Sequence, residues 1–247
     1  MLQHAGAVPL PPYLHREEEP EDAYRYQTVF AKEDGSVAAP TAALHFTKQM
    51  LEQLPQKNID TAFLTLHVGA GTFKPVQSET MKGHDMHAEW MECSVDFISR
   101  LCQQLSSGNK VVAVGTTSAR TLESLYWIGV RLIHGEQIDS SKIAVAQWYP
   151  YETDSSIPAD RALQAVLAYM QHESVGRLVT QTQIIIAPGY EFKIVDGLLT
   201  NFHQPQSTLL LLVAALIGED WRKVYDYALS HDFRFLSYGD GCLLWRP

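Results

Sequence analysis

The spacing of apolar residues along the chain changes several times, and each change predicts an element. Leu44, Thr47, Leu51 and Leu54 fall at three- and four-residue intervals between Pro40 and Pro55, which predicts an amphipathic helix opened and ended by proline. Ala62 to His67 follows as a strand. Ser94 is placed to cap a helix whose apolar face is Val95, Ile98, Leu101 and Leu105. Lys110 to Val114 reads as a short buried strand, and Gly115 turns it into a third helix. Ile184 to Ala187 and Phe192 to Val195 flank the Pro188-Gly189 turn as strands. Ser207 to Ile217 is a nearly all-apolar helix stopped by Gly218, Asp220 opens a last helix to about Ser230, and Cys242 to Trp245 closes as a strand. Alternation of this kind predicts an α/β fold with mainly parallel strands.

Two stretches break the rhythm. Residues 1–30 read as an extended connector, because Pro9, Pro11 and Pro12 fix φ and bias their predecessors to extended geometry. Residues 31–247 then form one α/β domain. Within it, residues 129–182 are turn-rich apart from a helix over Ala159 to His172, and are expected as an insertion packed beside the core.

Composition narrows the setting. With 247 residues, 46% of them hydrophobic, the chain can bury one substantial core. The longest apolar run, Leu209 to Ile217, falls short of the roughly 20 residues a membrane span needs, and the first residues lack the apolar stretch of a signal peptide, so a cytoplasmic protein without a membrane partner is expected. Cys93, Cys102 and Cys242 are odd in number and form no C-x-x-C pair, against a disulfide framework or a thiolate zinc site. The net charge of -9 opposes phosphate binding unless basic residues cluster locally.

The chemistry-bearing residues gather at element junctions. In Val111 to Ser118 a strand runs through a small-residue turn into a helix N-terminus, whose free N–H groups and dipole suit a carboxylate or phosphate; Arg120 offers a bidentate contact. A plain turn with Thr116, Thr117 or Ser118 as helix caps accounts for the same residues equally well. His67-Val-Gly-Ala-Gly-Thr72 also follows a strand, and Gly69 and Gly71 permit close backbone approach, but neither a dinucleotide nor a nucleoside-triphosphate fingerprint is present. A polar ligand near Gly69, Gly71, Thr72, Thr116, Thr117 and Ser118 is therefore expected. His84-x-x-His87-x-Glu89 invites a metal-dependent hydrolase, yet no helix aligns the two histidines, and no metal is expected. His203, after Asn201, stands where an imidazole could move protons, or simply cap the apolar helix that follows.

Taken in order, Tyr26 to Ala31, Gly35 to Thr47, His67 to Val76, Met86 to Trp90, Gly115 to Ser124, Pro188 to Lys193, Val195 to His203, Ser207 to Leu210 and Phe235 to Asp240 resemble the S-adenosylmethionine:tRNA ribosyltransferase-isomerase family of queuosine biosynthesis. Ala43 and Gln204 depart from the family's glycine and leucine. The resemblance implies a barrel-like arrangement of mainly parallel strands with surrounding helices, the family's separate β-rich domain being absent from this chain. It also implies an enzyme that transfers and isomerises the ribosyl part of S-adenosylmethionine onto the aminomethyl group of 7-deazaguanine preQ1 in tRNA. Epoxyqueuosine-tRNA forms, and adenine and methionine leave; S-adenosylmethionine is consumed as a substrate, with no further cofactor and no metal. Proton transfers then fall to His45, His67, Glu89 and His203, and Asn201, Tyr238 and Asp240 join the substrate-binding set. Phe46, Phe73, Trp90 or Tyr238 could face the sulfonium. The alternative is a non-catalytic tRNA-binding relative, or an inactive fragment of the enzyme; by itself the chain is expected to show little transfer.

Overall fold

The structure, a computed structural model, describes residues 10–11, 16–17, 19–31, 39–67, 81–139 and 141–247. Its helices are α1 (Asp22–Arg25), α2 (Lys48–Gln53), α3 (Val95–Ser106), α4 (Thr116–Ile133), α5 (Tyr149–Glu152), α6 (Ala159–His172), α7 (Thr208–Ile217) and α8 (Asp220–Ser230). Its strands are β1 (Thr65–His67), β2 (Glu89–Ser94), β3 (Val112–Val114), β4 (Ile143–Val145), β5 (Arg177–Thr182), β6 (Gly197–Asn201) and β7 (Gly241–Trp245).

The α/β class holds, but the strands divide into two sheets, ordered β1-β2-β5-β4 and β3-β6-β7. Neither closes into a barrel among the described residues. Among the described residues parallel pairing is confined to β3 with β6 and β4 with β5; β1 with β2, β2 with β5 and β6 with β7 run antiparallel. The expected barrel of mainly parallel strands is thus replaced by two mixed sheets. Residues 129–182 do more than pack beside the core. They supply β5, which pairs with both β2 and β4, and α6, whose Ala162, Leu163, Val166 and Met170 are buried.

Helix α4 is the central element, with Ala119 to Val130 buried without interruption. Gly129 explains its close crossing with α6, since a Cβ there would stand 2.1 Å from the Ala162 carbonyl oxygen. Around it Met91, Ile98, Leu125, Ile128, Leu163, Leu198 and Leu212 form a continuous apolar core, each contributing about 1.5–3 kcal/mol of burial. No helix of the described residues is long and apolar enough to cross a membrane.

Three local expectations change. The helix read over Pro40 to Leu54 is a 3₁₀ turn, Thr41–His45, followed by α2. Thr47 is extended there and its hydroxyl accepts the Met50 N–H at 3.1 Å, so a cap interrupts the apolar period. Ile184–Ala187 and Phe192–Val195 are buried segments outside any ladder. Several of their backbone donors go to side chains instead: Ile184 N to the Thr182 hydroxyl, and the N–H groups of Lys193, Ile194 and Val195 to the carboxylate of Glu123. The N-terminal connector includes the short α1, whose Asp22 accepts bonds from Arg16, from the Glu19 N–H and from the Tyr238 hydroxyl.

Candidate functional site

The site lies where β3 and β6, running in parallel, reach their carboxyl ends. Gly115, at φ +90, leaves β3, donates its N–H to the Leu199 carbonyl at 2.9 Å and opens α4. A side chain would strain that φ, which is why glycine stands there. The turn sets Thr116 and Thr117 in the first turn of α4 and Arg120 one turn on. Opposite them, β2 begins at Glu89.

Glu89 and Arg120 are 4% and 5% exposed and form a buried ion pair, Nη1 to Oε1 2.9 Å. His87 Nε2 meets the same carboxylate oxygen at 3.1 Å, and Arg120 Nε donates to the Ile184 carbonyl at 2.9 Å. Burial alone would push the Glu89 carboxyl up; the Arg120 charge and the His87 hydrogen bond outweigh it and hold the carboxyl below its ordinary value, so it is ionised at neutral pH. Two glutamines fix this geometry. Gln147 accepts the Met86 N–H at 2.9 Å and donates to the His84 carbonyl at 2.7 Å, while Gln183 donates to the Met86 carbonyl at 3.0 Å. Met86, His87, Glu89, Thr116, Thr117, Arg120, Ile185, Ile186, Thr208, Leu209 and Leu212 enclose a cavity of about 30 Å³.

A second cluster sits at the end of β6. Asn201 Nδ2 donates to His45 Nε2 at 3.1 Å and its carbonyl accepts the Thr41 hydroxyl at 3.0 Å. A Cβ at position 241 would stand 3.0 Å from His45 Nε2, so Gly241 makes room for the imidazole. Asp240, next in the chain, is held by the Arg234 backbone N–H at 2.7 Å and its guanidinium at 3.1 Å, which lower its carboxyl. Tyr238 is engaged with Asp22; burial and that carboxylate push its phenol up to about 12.

The remaining expected residues disperse. His67 pairs in register with Trp90, on the solvent-facing side of β2, and lies 4.0 Å from Glu92 rather than beside Glu89. Alternation along β2 turns Glu89 inward and Trp90 outward, so this histidine belongs to the opposite face of the sheet. His203 points inward, its Nε2 2.9 Å from the Thr200 hydroxyl and its backbone N–H on the Tyr225 hydroxyl. Burial drops its imidazole to about 4, a neutral, core-satisfied group. Ser118 is part-buried in α4 but does not line the cavity. Gly69, Gly71, Thr72 and Phe73 fall outside the described residues, as does the Gly35 to Ala38 part of the first motif. No cluster of three metal-binding side chains occurs among the described residues, and His87 is engaged by Glu89. Gln147, Gln183 and Thr208 were not anticipated: no spacing marks them, and only tertiary contact reveals them.

His203 carries a pH consequence. The unfolded imidazole titrates near 6.5 and the folded one near 4, so between these values the unfolded state binds more protons. Stability should therefore fall on acidification through this window, by up to about 1.4 kcal/mol per pH unit. Urea midpoints at about pH 7 and about pH 5 should converge for His203→Gln relative to the parent; parallel losses in both proteins would reject the assignment.

Fold and site together define an α/β protein with a cavity at the carboxyl end of β3, beside a buried carboxylate–guanidinium pair. Residues 1–244 match the family model described as queuosine biosynthesis protein, and the chain belongs to that family. The S-adenosylmethionine:tRNA ribosyltransferase-isomerase of Magnetococcus marinus is 42% identical over 245 residues, 99% of this chain and 56% of the relative. That of Legionella pneumophila is 41% identical over 99% of this chain and 60% of its own length. A crystal structure of S-adenosylmethionine tRNA ribosyltransferase from Thermotoga maritima matches with a TM-score of 0.52 at 30% identity, covering 82% of this chain and 50% of that one. The chain thus spans a little over half the length of the curated relatives it matches.

Proposed function

We propose that this chain carries the catalytic part of an S-adenosylmethionine:tRNA ribosyltransferase-isomerase. Its substrates are S-adenosylmethionine and preQ1-containing tRNA, its products epoxyqueuosine-tRNA, adenine and methionine. The observation that carries this is the buried Glu89–Arg120 pair with His87, facing the uncapped first turn of α4. The reaction needs a base for the C5′ proton made acidic by the sulfonium, a donor for departing adenine, and a seat for a ligand carrying both signs of charge. His87, held by Glu89, and His45, held by Asn201, supply two separate proton-handling groups. An ionised Glu89 also favours the sulfonium. His67 and His203 take no part in the proton transfers of this scheme.

Calorimetry of S-adenosylmethionine with this chain tests binding, and adenine release tests the reaction. In the Magnetococcus relative, the substitution equivalent to His45→Gln should slow release with preQ1-containing tRNA by roughly 10²- to 10⁴-fold, the span of a lost general acid or base. Affinity for S-adenosylmethionine should change only a few-fold. A chain that does not bind S-adenosylmethionine, or release unaffected by the substitution, overturns the proposal.

A further inference from the structure

The Glu89–Arg120 pair is incomplete in a specific way. Glu89 Oε2 and Arg120 Nη2 are both fully buried and lack a hydrogen-bond partner among the described residues. One is an acceptor and the other a donor, on adjacent side chains lining the same cavity. Orphaned buried charges of this kind are costly, and a bound group that satisfies both recovers that cost. The third wall is the first turn of α4, an 18-residue helix whose N-cap Gly115 offers no side chain, so the N–H groups of that turn and the Thr116 and Thr117 hydroxyls are left for a ligand.

Sign chooses the occupant. A ligand donor must meet Glu89 Oε2 while a ligand acceptor meets Arg120 Nη2, and a helix N-terminus favours a full negative charge over a neutral acceptor. A zwitterionic α-amino acid has both, an ammonium and a carboxylate on one carbon. Buried Met86, Ile185, Ile186 and Leu212 supply an apolar wall for the methylenes that follow, and part-exposed Thr116, Thr117, Thr208 and Leu209 form the open side toward the rest of the ligand.

From this we infer that the cavity holds the amino-acid head of the methionine moiety, its ammonium on Glu89 and its carboxylate on Arg120 and the first turn of α4. This rests on the proposed use of S-adenosylmethionine and adds which part of the ligand goes where. The adenosine then lies outside the cavity, and free L-methionine, as a product, occupies the same seat and competes with the substrate.

The test compares two ligands that differ in the head. S-adenosylhomocysteine carries the zwitterion without the sulfonium charge; 5′-methylthioadenosine has the adenosine and no head. By calorimetry S-adenosylhomocysteine should bind this chain about 10- to 100-fold more tightly, the worth of one or two charge-assisted hydrogen bonds. Arg120→Lys and Thr117→Val should each cut that advantage at least several-fold while leaving methylthioadenosine affinity unchanged, which also reports an intact fold. Should Arg120→Lys fail to fold, Thr117→Val alone decides. Equal binding of the two ligands, or variants that weaken both alike, places the head elsewhere and leaves water as the cavity's occupant, with S-adenosylmethionine use still standing. Binding of neither these ligands nor S-adenosylmethionine would overturn the proposed function as well.

Discussion

Replacing Glu123 with leucine is expected to remove a large share of the protein's folding stability. This carboxylate is wholly buried in α4 and accepts four bonds: the Tyr190 hydroxyl at 2.7 Å and the backbone N–H groups of Lys193, Ile194 and Val195 at 2.9, 3.0 and 2.9 Å. Burial pushes its carboxyl up, and those donors pull the other way. Leucine would leave four buried donors unsatisfied at about 1–3 kcal/mol each, so a loss on the order of 4 kcal/mol or more is expected, against total stabilities of roughly 5–15 kcal/mol. Glu123→Gln should also destabilise, because its amide N–H₂ would face donors. Denaturant midpoints measure this. A leucine variant within about 1 kcal/mol of the parent would show that the 190–195 segment does not depend on the carboxylate.

Glu89→Ala should be nearly as severe, for a different reason. It leaves the Arg120 guanidinium buried with the Ile184 carbonyl as its remaining described partner, and breaking a buried pair from one side costs about 3–5 kcal/mol. Removing both charges is milder: Glu89→Leu combined with Arg120→Met should recover much of the stability, since apolar replacements no longer strand a charge. Ligand binding should not recover with it. A single Glu89→Ala loss below about 1 kcal/mol, or a double variant no better than the single, would mean that the pair is solvated.

What could be read from the sequence was local. Ser94 caps α3 where its position before an apolar period places it, and the Gly115 turn opens α4 as expected. The β3–Gly115–α4 junction therefore located Thr116, Thr117 and Arg120 correctly at a strand's carboxyl end. Strand pairing was not legible, because a run such as Ile184 to Ile186 has the composition of a buried strand whether its donors meet a neighbouring strand or, as here for Ile184, the Thr182 hydroxyl. For the same reason the sheets came out mixed. Glu89 was recognised as a titratable group, but its partnership with Arg120 depends on how α4 packs across β2, which no spacing encodes. His203 and His67 drew attention as imidazoles beside polar motifs; one is satisfied inside the core and the other faces away, and only side-chain direction distinguishes these from His45.

The glutamine clasp on Met86 has a consequence for assembly of the sheet. Strand β2 alternates inward and outward side chains, so a one-residue slip against β5 would exchange Glu89 for Trp90, burying an indole beside Arg120 and sending the carboxylate to solvent. Gln147 and Gln183 grip the backbone just ahead of the strand, on both the N–H and the carbonyl of Met86, and so fix its phase before the first ladder bond. Two uncharged amides that touch no reacting group thereby determine which side of the sheet the negative charge occupies.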